Sequence, residues 1–518
     1  MTHCFTRYLV AISLALSVSV IAAEKAARQP NIVFILADDI GYGDLGCYGA
    51  TKVKTPNVDR LAREGLRFTD AHATASVCSP TRYAFITGQY AWRSPGKAIG
   101  VLPGNAPLTI DTRTVTTPEI LRRAGYTTGV VGKWHLGLGG ENVDWNGEIK
   151  PGPLEIGFDY AFIMPATGDR VPCVYVENHR VAGLDPNDPI RISYQGKIGD
   201  DPTGREHPEL LKMKLSMGHA DTIVNGISRI GFMTGGKSAR WNDETMADTY
   251  AEKAIAFIER NQSKPFFLYL ATHDIHVPRV PNPRFKGTSE CGVRGDAIQE
   301  FDDTVGKIVS ALDRLKLSEN TMLIVTSDNG GVIDDGYADG AKANLNGHKP
   351  NGDLRAGKGS YYEGGTREPF IVRWPGRIKP GVSDQLIGHV DMLASFAALA
   401  GKKLPKNAGP DSYNVLPALL GEAGTKPVRD HLVLQRNVAE RLAIRQGSWK
   451  LIIGTQSDAP KKKNASDTEL YDLASDPGET VNLAEQQPER VKPLAELLQR
   501  IKSAPASRAL DRKPPGRG

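Results

Sequence analysis

Four stretches of the chain stay apolar and β-prone for six to eight residues and then break into ionic groups. Asn31 to Ala37 (NIVFILA) runs into Asp38 and Asp39, and Thr127 to Gly132 (TTGVVG) runs into Lys133 and His135. Pro265 to Thr272 (PFFLYLAT) leads to His273 and His276, and Met322 to Ser327 (MLIVTS) leads to Asp328 and Asn329. Short runs with little alternation predict strands buried on both faces. Helical boundary signals lie between them: Thr55-Pro56 opens a helix that Gly65 closes, Thr117-Pro118 opens one that Gly125 closes, and an amphipathic pattern covers Asp243 to Asn261. Alternating strands and helices predict an α/β fold, a large mostly parallel sheet sandwiched by helices. Such sheets bind ligands beyond the carboxyl ends of their strands, so all four ionic sets are expected on one rim.

After about Asn407 the pattern changes. HLVLQ, RLAIRQGSWKLII and TELYDLASD are short runs suited to a small antiparallel sheet, and Val491 to Ile501 reads as an amphipathic helix. The expected organisation is a leader over 1–23, a main domain over 28–425, a smaller C-terminal subdomain over 426–505 and a disordered tail over 506–518. The insert 166–240 is rich in Gly, Pro and charge and shows no core periodicity.

Composition narrows the class. At 40% hydrophobic and 24% charged residues the chain is globular. Arg7 precedes an apolar run from Tyr8 to Ile21 that ends in Ala22-Ala23, the pattern of a secretory leader, so export to a periplasmic or extracellular space is expected. No later run approaches the ~20 apolar residues a membrane span needs. A net charge of +5 without a basic block argues against a nucleic-acid binder, and Lys461-Lys462-Lys463 reads as a solvated loop. Beyond the leader stand Cys47, Cys78, Cys173 and Cys291, which rules out a disulfide scaffold.

The segment Cys78 to Gly88 (CSPTRYAFITG) carries the chemistry. Ser79 is expected to cap a helix whose first turn holds Pro80, with Cys78 just outside the N-terminus, where free amides favour an anion. Taken singly, an Asp-Asp pair after a strand is a common solvated loop and DNG a common tight turn. Together the features resemble the sulfatase signature, C-x-P-x-R followed by Thr-Gly. The likeness runs from about Asn31 to ELYDLASDPGETVNLA near the C-terminus and includes Arg355 to Gly376 (RAGKGSYYEGGTREPFIVRWPG), which is similar to the family's lysine-bearing segment. The chain thus resembles the formylglycine-dependent, type I sulfatases of the alkaline phosphatase superfamily.

That resemblance implies a secreted sulfatase acting on a sulfated saccharide. Cys78 would be oxidised to formylglycine (3-oxoalanine) by a maturation enzyme, and the hydrated aldehyde would attack sulfur. A single Ca2+, with Mg2+ the second choice, would be held by Asp38, Asp39, Asp328, Asn329 and position 78, since oxygen ligands suit a hard cation. Lys133, Lys358 and Arg82 would surround the ester, with Arg82 orienting the diol. His135 would take the proton that releases sulfate, and His276 or Lys358 would protonate the leaving oxygen. His276 is preferred to His273 because it precedes Val277-Pro278; His273 would support from behind. With Cys78 converted, at most one disulfide could form among the other three cysteines. Asp169, Arg170, His219 and Lys237, in the long insert, are expected to contact substrate.

Two rival enzymes remain. GFMTGGKS (Gly231 to Ser238) satisfies the phosphate-loop pattern G-x-x-x-x-G-K-[ST], which would make a nucleotide hydrolase. Its flanks argue otherwise, because ISRI precedes it and no helix start follows before Asp243. It is expected instead as a glycine-rich loop near the mouth of the site, with Lys237 and Arg240 towards an anionic substrate. The closer chemical alternative is a phosphodiesterase or phosphonate monoester hydrolase of the same superfamily. A carbohydrate-binding protein on an inactive fold is opposed by the complete set of polar positions.

Overall fold

The computed structural model describes residues 29–94, 99–437, 442–454 and 468–509; the expected leader, the lysine run at 461–463 and residues 510–518 lie outside them. The main sheet has ten strands: β1 (Asn31–Ala37), β2 (Leu66–Phe68), β3 (Thr127–Lys133), β4 (Tyr160–Met164), β5 (Val176–Glu177), β6 (Arg180–Val181), β7 (Phe266–Ala271), β8 (Thr321–Ser327), β9 (Phe370–Arg373) and β10 (Gly381–Ser383). Their order is β10-β2-β9-β8-β1-β7-β3-β4-β5-β6. The four predicted runs form the adjacent strands β8, β1, β7 and β3, all parallel. Every residue of β1, β7 and β8 is buried, as strands covered on both faces require. Antiparallel pairing is confined to the edges, where β9 joins β8 and β2, and β5 joins β4 and β6.

Register brings the ionic residues together. Ala37 pairs with Ser327 and Ala271 with Gly132, so Asp38, Asp328, Thr272 and Lys133 leave the sheet at nearly one level. Gly132 has φ +104, and a Cβ there would stand 1.9 Å from the Ala271 carbonyl oxygen, so glycine is needed just before Lys133.

Helices α1 (Pro56–Glu64), α2 (Cys78–Thr87), α3 (Thr117–Arg123), α4 (Met246–Asn261), α5 (Gly292–Arg314) and α6 (Met392–Leu399) cover the faces. The cap of α3 is Thr116, whose hydroxyl accepts from Glu119 N at 3.2 Å, one residue before the expected Thr117. Helix α5 was not apparent in the sequence, because Gly292, Gly295 and Gly306 and the buried Arg294, Asp296, Glu300 and Asp302 break its apolar period. Asp302 is buried there to accept from Asn57 N and Val58 N at the start of α1. Among the described residues no helix is long and apolar enough to cross a membrane, and the four cysteines are free.

The C-terminal region forms a four-stranded antiparallel sheet, β11 (His431–Gln435), β12 (Leu442–Gln446), β13 (Trp449–Ile453) and β14 (Thr468–Asp472). Helix α7 (Pro488–Ser503), longer than its apolar pattern indicated, packs Leu494, Leu497, Leu498 and Ile501 into the same core as Leu432, Ile444 and Leu451. The expected tail from 506 begins as a 3-10 turn, Ser507–Ala509, with Ser507 N donating to buried Asp411 at 3.3 Å. The insert 166–240 adds Val171, Val174, Val176 and Met233 to the main core, but from loops and strands of only two or three residues, too short to show a period. Buried Arg229 ties it further, donating to Asp243 at 2.8 Å and to the Gly168 carbonyl at 2.6 Å.

Candidate active site

Asp38 and Asp39 follow each other in sequence, and a continuing strand would send their side chains to opposite faces. Asp39 instead adopts φ +64, breaking the alternation and turning both carboxylates into one buried cluster with Asp328. Carboxylate oxygens of Asp38, Asp39 and Asp328 lie within 4.8 Å of one another. Three cations face them. Lys133 Nζ is 2.5 Å from Asp38 Oδ2, Lys358 Nζ is 2.8 Å from Asp39 Oδ2, and Arg82 donates through Nε and Nη2 to Asp328 Oδ2 at 3.0 and 2.7 Å. Arg82 also donates to the Lys133 carbonyl at 3.0 Å. Its guanidinium thereby ties the carboxylate cluster to the end of β3.

Burial drives the Asp38 carboxyl well above its ordinary range; Lys133 opposes the shift, and Asp328 and Asp39 add to it. Asp39 is buried just as deeply, yet Lys358 and Lys133 hold it below the usual value. Asp38 Oδ1 and Asn329 Oδ1 are buried and meet no hydrogen-bond partner among the described residues. Two orphaned oxygens beside further carboxylates form a donor set that fits a hard divalent cation, since buried acceptors are otherwise rarely left unpaired.

Cys78 is the first residue of α2, with Val77 at the cap position and no capping side chain. The expected cap, Ser79, lies inside the helix with its hydroxyl unpartnered, so the free amides of the first turn begin at Cys78 itself. Burial pushes the Cys78 thiol up to about 11 in spite of Lys133 and Lys358. An unmodified cysteine here is a neutral thiol at pH 7 and a poor nucleophile. Its sulfur, an Asp38 oxygen and a ring nitrogen of His276 all lie within 4.8 Å of one another.

A cavity of about 350 Å³ opens over this cluster, lined by Cys78, His135, Asp169, Arg170, His219, His276, Asp335 and Lys358. His276 Nε2 stands 4.0 Å from Asp39 Oδ2 and 3.9 Å from Asp335 Oδ2, and burial, then Lys358 and Lys133, depress its pKa well below the ordinary value. His135, at φ +55, is buried, donates from Nε2–H to the Leu102 carbonyl at 2.9 Å and is likewise depressed by burial and Lys133. His273 is buried outside the lining, held down to about 4 by burial, with Gly168 packed on its ring; a Cβ there would meet the ring at 2.5 Å.

At the mouth, Asp169 accepts from Arg170 at 2.9 Å and pairs with His219 Nε2 at 2.9 Å. The insert thus brings three of its four expected residues to the cavity. Lys237 is the exception. It is exposed, outside the lining, in a three-residue 3-10 turn whose first amide donates to Asp188 Oδ2 at 2.7 Å, and Arg240 is occupied by Asp201 at 3.1 Å. GFMTGGKS is correspondingly no phosphate loop: Phe232–Thr234 pairs antiparallel with Arg191–Ser193 and no α-helix begins at Lys237. Sequence reasoning missed Asp335, which accepts from Lys358 Nζ at 2.7 Å. The acidic doublet Asp334-Asp335 lies just beyond Asp328-Asn329, and an extension of that strand-end loop would have included it.

Carboxylates, cations and a helix-terminal cysteine converging on one cavity at the carboxyl edge of a parallel sheet define a hydrolase of anionic esters. The sulfatase family model matches residues 30–402, and that for the N-sulphoglucosamine sulphohydrolase C-terminal region matches 357–504. The chain is 53% identical over 486 residues to an N-acetylgalactosamine-6-O-sulfatase of Bacteroides thetaiotaomicron, covering 92% of this chain and 94% of that one. It is 35% identical over 490 residues to arylsulfatase A of Homo sapiens, covering 90% and 86%. A solved structure from work on the metabolism of multiple glycosaminoglycans by Bacteroides thetaiotaomicron shares 53% identity and a TM-score of 0.88, over 92% of this chain and all of that one. A phosphonate monoester hydrolase from Silicibacter pomeroyi, at 16% identity and TM-score 0.60, shares the fold alone. The chain belongs to the sulfatase family, within the alkaline phosphatase superfamily, and is a sulfuric-ester hydrolase.

Proposed function

We propose that this enzyme removes a sulfate ester from a saccharide, with a 6-O-sulfated N-acetylgalactosamine unit the first substrate to test. The relative at 53% identity, an N-acetylgalactosamine-6-O-sulfatase, supports the sugar. The observation that carries the chemistry is Cys78 at the N-terminus of α2, within 4.8 Å of Asp38 and His276. Oxidation of Cys78 to formylglycine by a maturation enzyme supplies a hydrated aldehyde, whose two oxygens serve attack at sulfur and release of sulfate. Calcium is the proposed ion and magnesium the second choice; Asp38, Asp39, Asp328 and Asn329 would hold it, and it would neutralise charge on a sulfate oxygen.

The chain's own residues do the rest. The first-turn amides of α2 with Lys133 and Lys358 form a cationic floor for the sulfate, and fixed positive charge stabilises oxygen charge that grows during attack. Arg82 keeps Asp328 in place. The leaving oxygen takes its proton from Lys358, or from His276 once the bound sulfate's negative charge favours its protonated ring; both line the cavity, and His135 receives the proton given up as sulfate departs. Asp169, Arg170 and His219 would hold sugar hydroxyls at the mouth. The N-terminal pattern from Arg7 to Ala23 supports export to the periplasm or beyond.

The test is sulfate release by natively matured protein from a panel of sulfated saccharides. The 6-O-sulfated N-acetylgalactosamine substrate should be turned over fastest, and His219→Ala should lose more on it than on a small aryl sulfate. Faster hydrolysis of a phosphodiester or phosphonate ester than of any sulfate ester would overturn the reading.

A further inference from the structure

The segment that carries Lys358 is fastened at both ends to one residue of the C-terminal subdomain. At its start, Arg355 Nη1 donates to the Glu479 carbonyl at 2.7 Å, and the Arg355 guanidinium lies 3.6 Å from the centre of the Tyr362 ring. At its end, the backbone N–H of Glu363 donates to Glu479 Oε2 at 2.6 Å. The Glu363 side chain then closes a ring of buried ions: its Oε1 lies 3.0 Å from Lys450 Nζ, and Lys450 Nζ lies 2.9 Å from Glu479 Oε1. None of the three residues has solvent exposure. Arg367 pairs with the other Glu363 oxygen at 2.6 Å.

Between these fastenings there is little slack. The turn Glu363–Thr366 packs directly on the Lys358 loop, so that a Cβ at Gly364 would stand 2.4 Å from the Ala356 carbonyl and one at Gly365 2.5 Å from the Ser360 carbonyl. The same turn presses on the strand end beside Asn329, where a Cβ at Gly330 would stand 1.8 Å from the Gly364 carbonyl. Gly359 N donates to Ser76 O at 2.8 Å, close to Cys78. A shift of the turn therefore moves Lys358 relative to both the carboxylate cluster and position 78.

We propose that Glu479 and Lys450 are positioning residues for Lys358, so that the C-terminal subdomain sets the place of an active-site cation it does not itself contain. The inference rests on the reading of Lys358 as a cation that meets the sulfate. Removing one partner of a buried ion pair is costly, since it leaves its neighbour's charge poorly compensated, so a change at Glu479 is felt by Lys450 and Glu363. Misplacing a reacting group by a fraction of its contact distance is costly to turnover.

A double-mutant cycle between Glu479→Gln and Lys358→Ala tests it on the full, matured chain. Two quantities are read: kcat/KM on a sulfate ester, and the affinity for inorganic sulfate by calorimetry. Melting temperature and the peptide mass at position 78 serve as controls. Glu479→Gln keeps an acceptor for the Glu363 amide and removes the charge facing Lys450. It should lower kcat/KM by about tenfold, the scale of a small misplacement. Lys358→Ala should weaken sulfate binding, and adding Glu479→Gln should weaken it no further. Equal additional weakening in both backgrounds, or wild-type kinetics in Glu479→Gln, overturns the proposal. If Glu479→Gln does not fold, half-buried Arg355→Gln decides in the same cycle, because it unties the segment without stranding a buried charge. A wild type that binds sulfate through Lys358 yet hydrolyses no sulfate ester would refute the functional reading and leave the positioning role standing.

Discussion

Asp38 meets Lys133 Nζ at 2.5 Å through Oδ2, while its buried Oδ1 has no hydrogen-bond partner among the described residues and only the Arg82 guanidinium at 3.9 Å. One side of the carboxylate is committed to a fixed cation and the other is presented to the space shared with Asp39, Asp328 and Asn329. Such an arrangement is costly without a counter-ion, because burial and two neighbouring carboxylates all disfavour the charge on Asp38.

Prolonged chelation should therefore lower both turnover and melting temperature, since a cation bound only by the native state stabilises it by mass action. Re-addition of calcium should restore both. Metal analysis of the purified protein checks the identity of the ion; a stoichiometric zinc ion, or full activity in metal-free protein, would contradict the assignment.

Cys78→Ser should fold like the wild type and lose turnover in a host that converts only cysteine. A serine has one hydroxyl and lacks the second oxygen needed to release sulfate. Loss should exceed about a thousandfold, the scale of removing a nucleophile. Mass spectrometry of active wild type should find the aldehyde or its hydrate at position 78, and unmodified cysteine in fully active enzyme would sink the mechanism.

His389 supplies a pH test independent of catalysis. It is buried between Phe34 and Phe370, bonded to the Thr326 hydroxyl at 3.1 Å, and burial depresses its pKa to about 3. The unfolded chain takes up this proton near the ordinary value of 6.5, whereas the native state refuses it down to about 3. Between those values the unfolded state binds more protons, so this contribution to stability falls as pH falls. His389→Phe should thus melt lower at pH 7 but lose less melting temperature than the wild type on going to pH 4. Parallel pH curves for the two proteins would refute the assignment.

Lys237 and Lys358 should rank in opposite order to a phosphate-loop enzyme. Lys358→Ala removes a cation from the cavity and should nearly abolish sulfate release. Lys237→Ala, at an exposed position outside the lining, should change kcat/KM by less than about twofold, as surface substitutions do. ATP hydrolysis abolished by Lys237→Ala would reverse the conclusion.

Most of the positions proposed for the metal and the nucleophile were readable along the chain because each lies within a few residues of a local signal. Asp38, Lys133 and Asp328 come immediately at or after buried β-runs, and Cys78 opens a helix marked by Pro80 and Gly88. Strand order and partners were not readable. Local periodicity reports which face of an element is buried and not which other element covers it, so the antiparallel edges and the helix Gly292–Arg314, with its buried charges, went unseen. Contacts between segments distant in sequence had the same fate. Arg82 found Asp328, Asp335 found Lys358, Lys237 turned away from the cavity, and Glu479 took hold of both ends of the Lys358 segment. The sequence by itself determined the chemical inventory and the elements that present it, because residue type and short-range pattern suffice for those. Tertiary structure alone decided which charge neutralises which, because that depends on distances set by the register of β8, β1, β7 and β3 and by the docking of the C-terminal sheet.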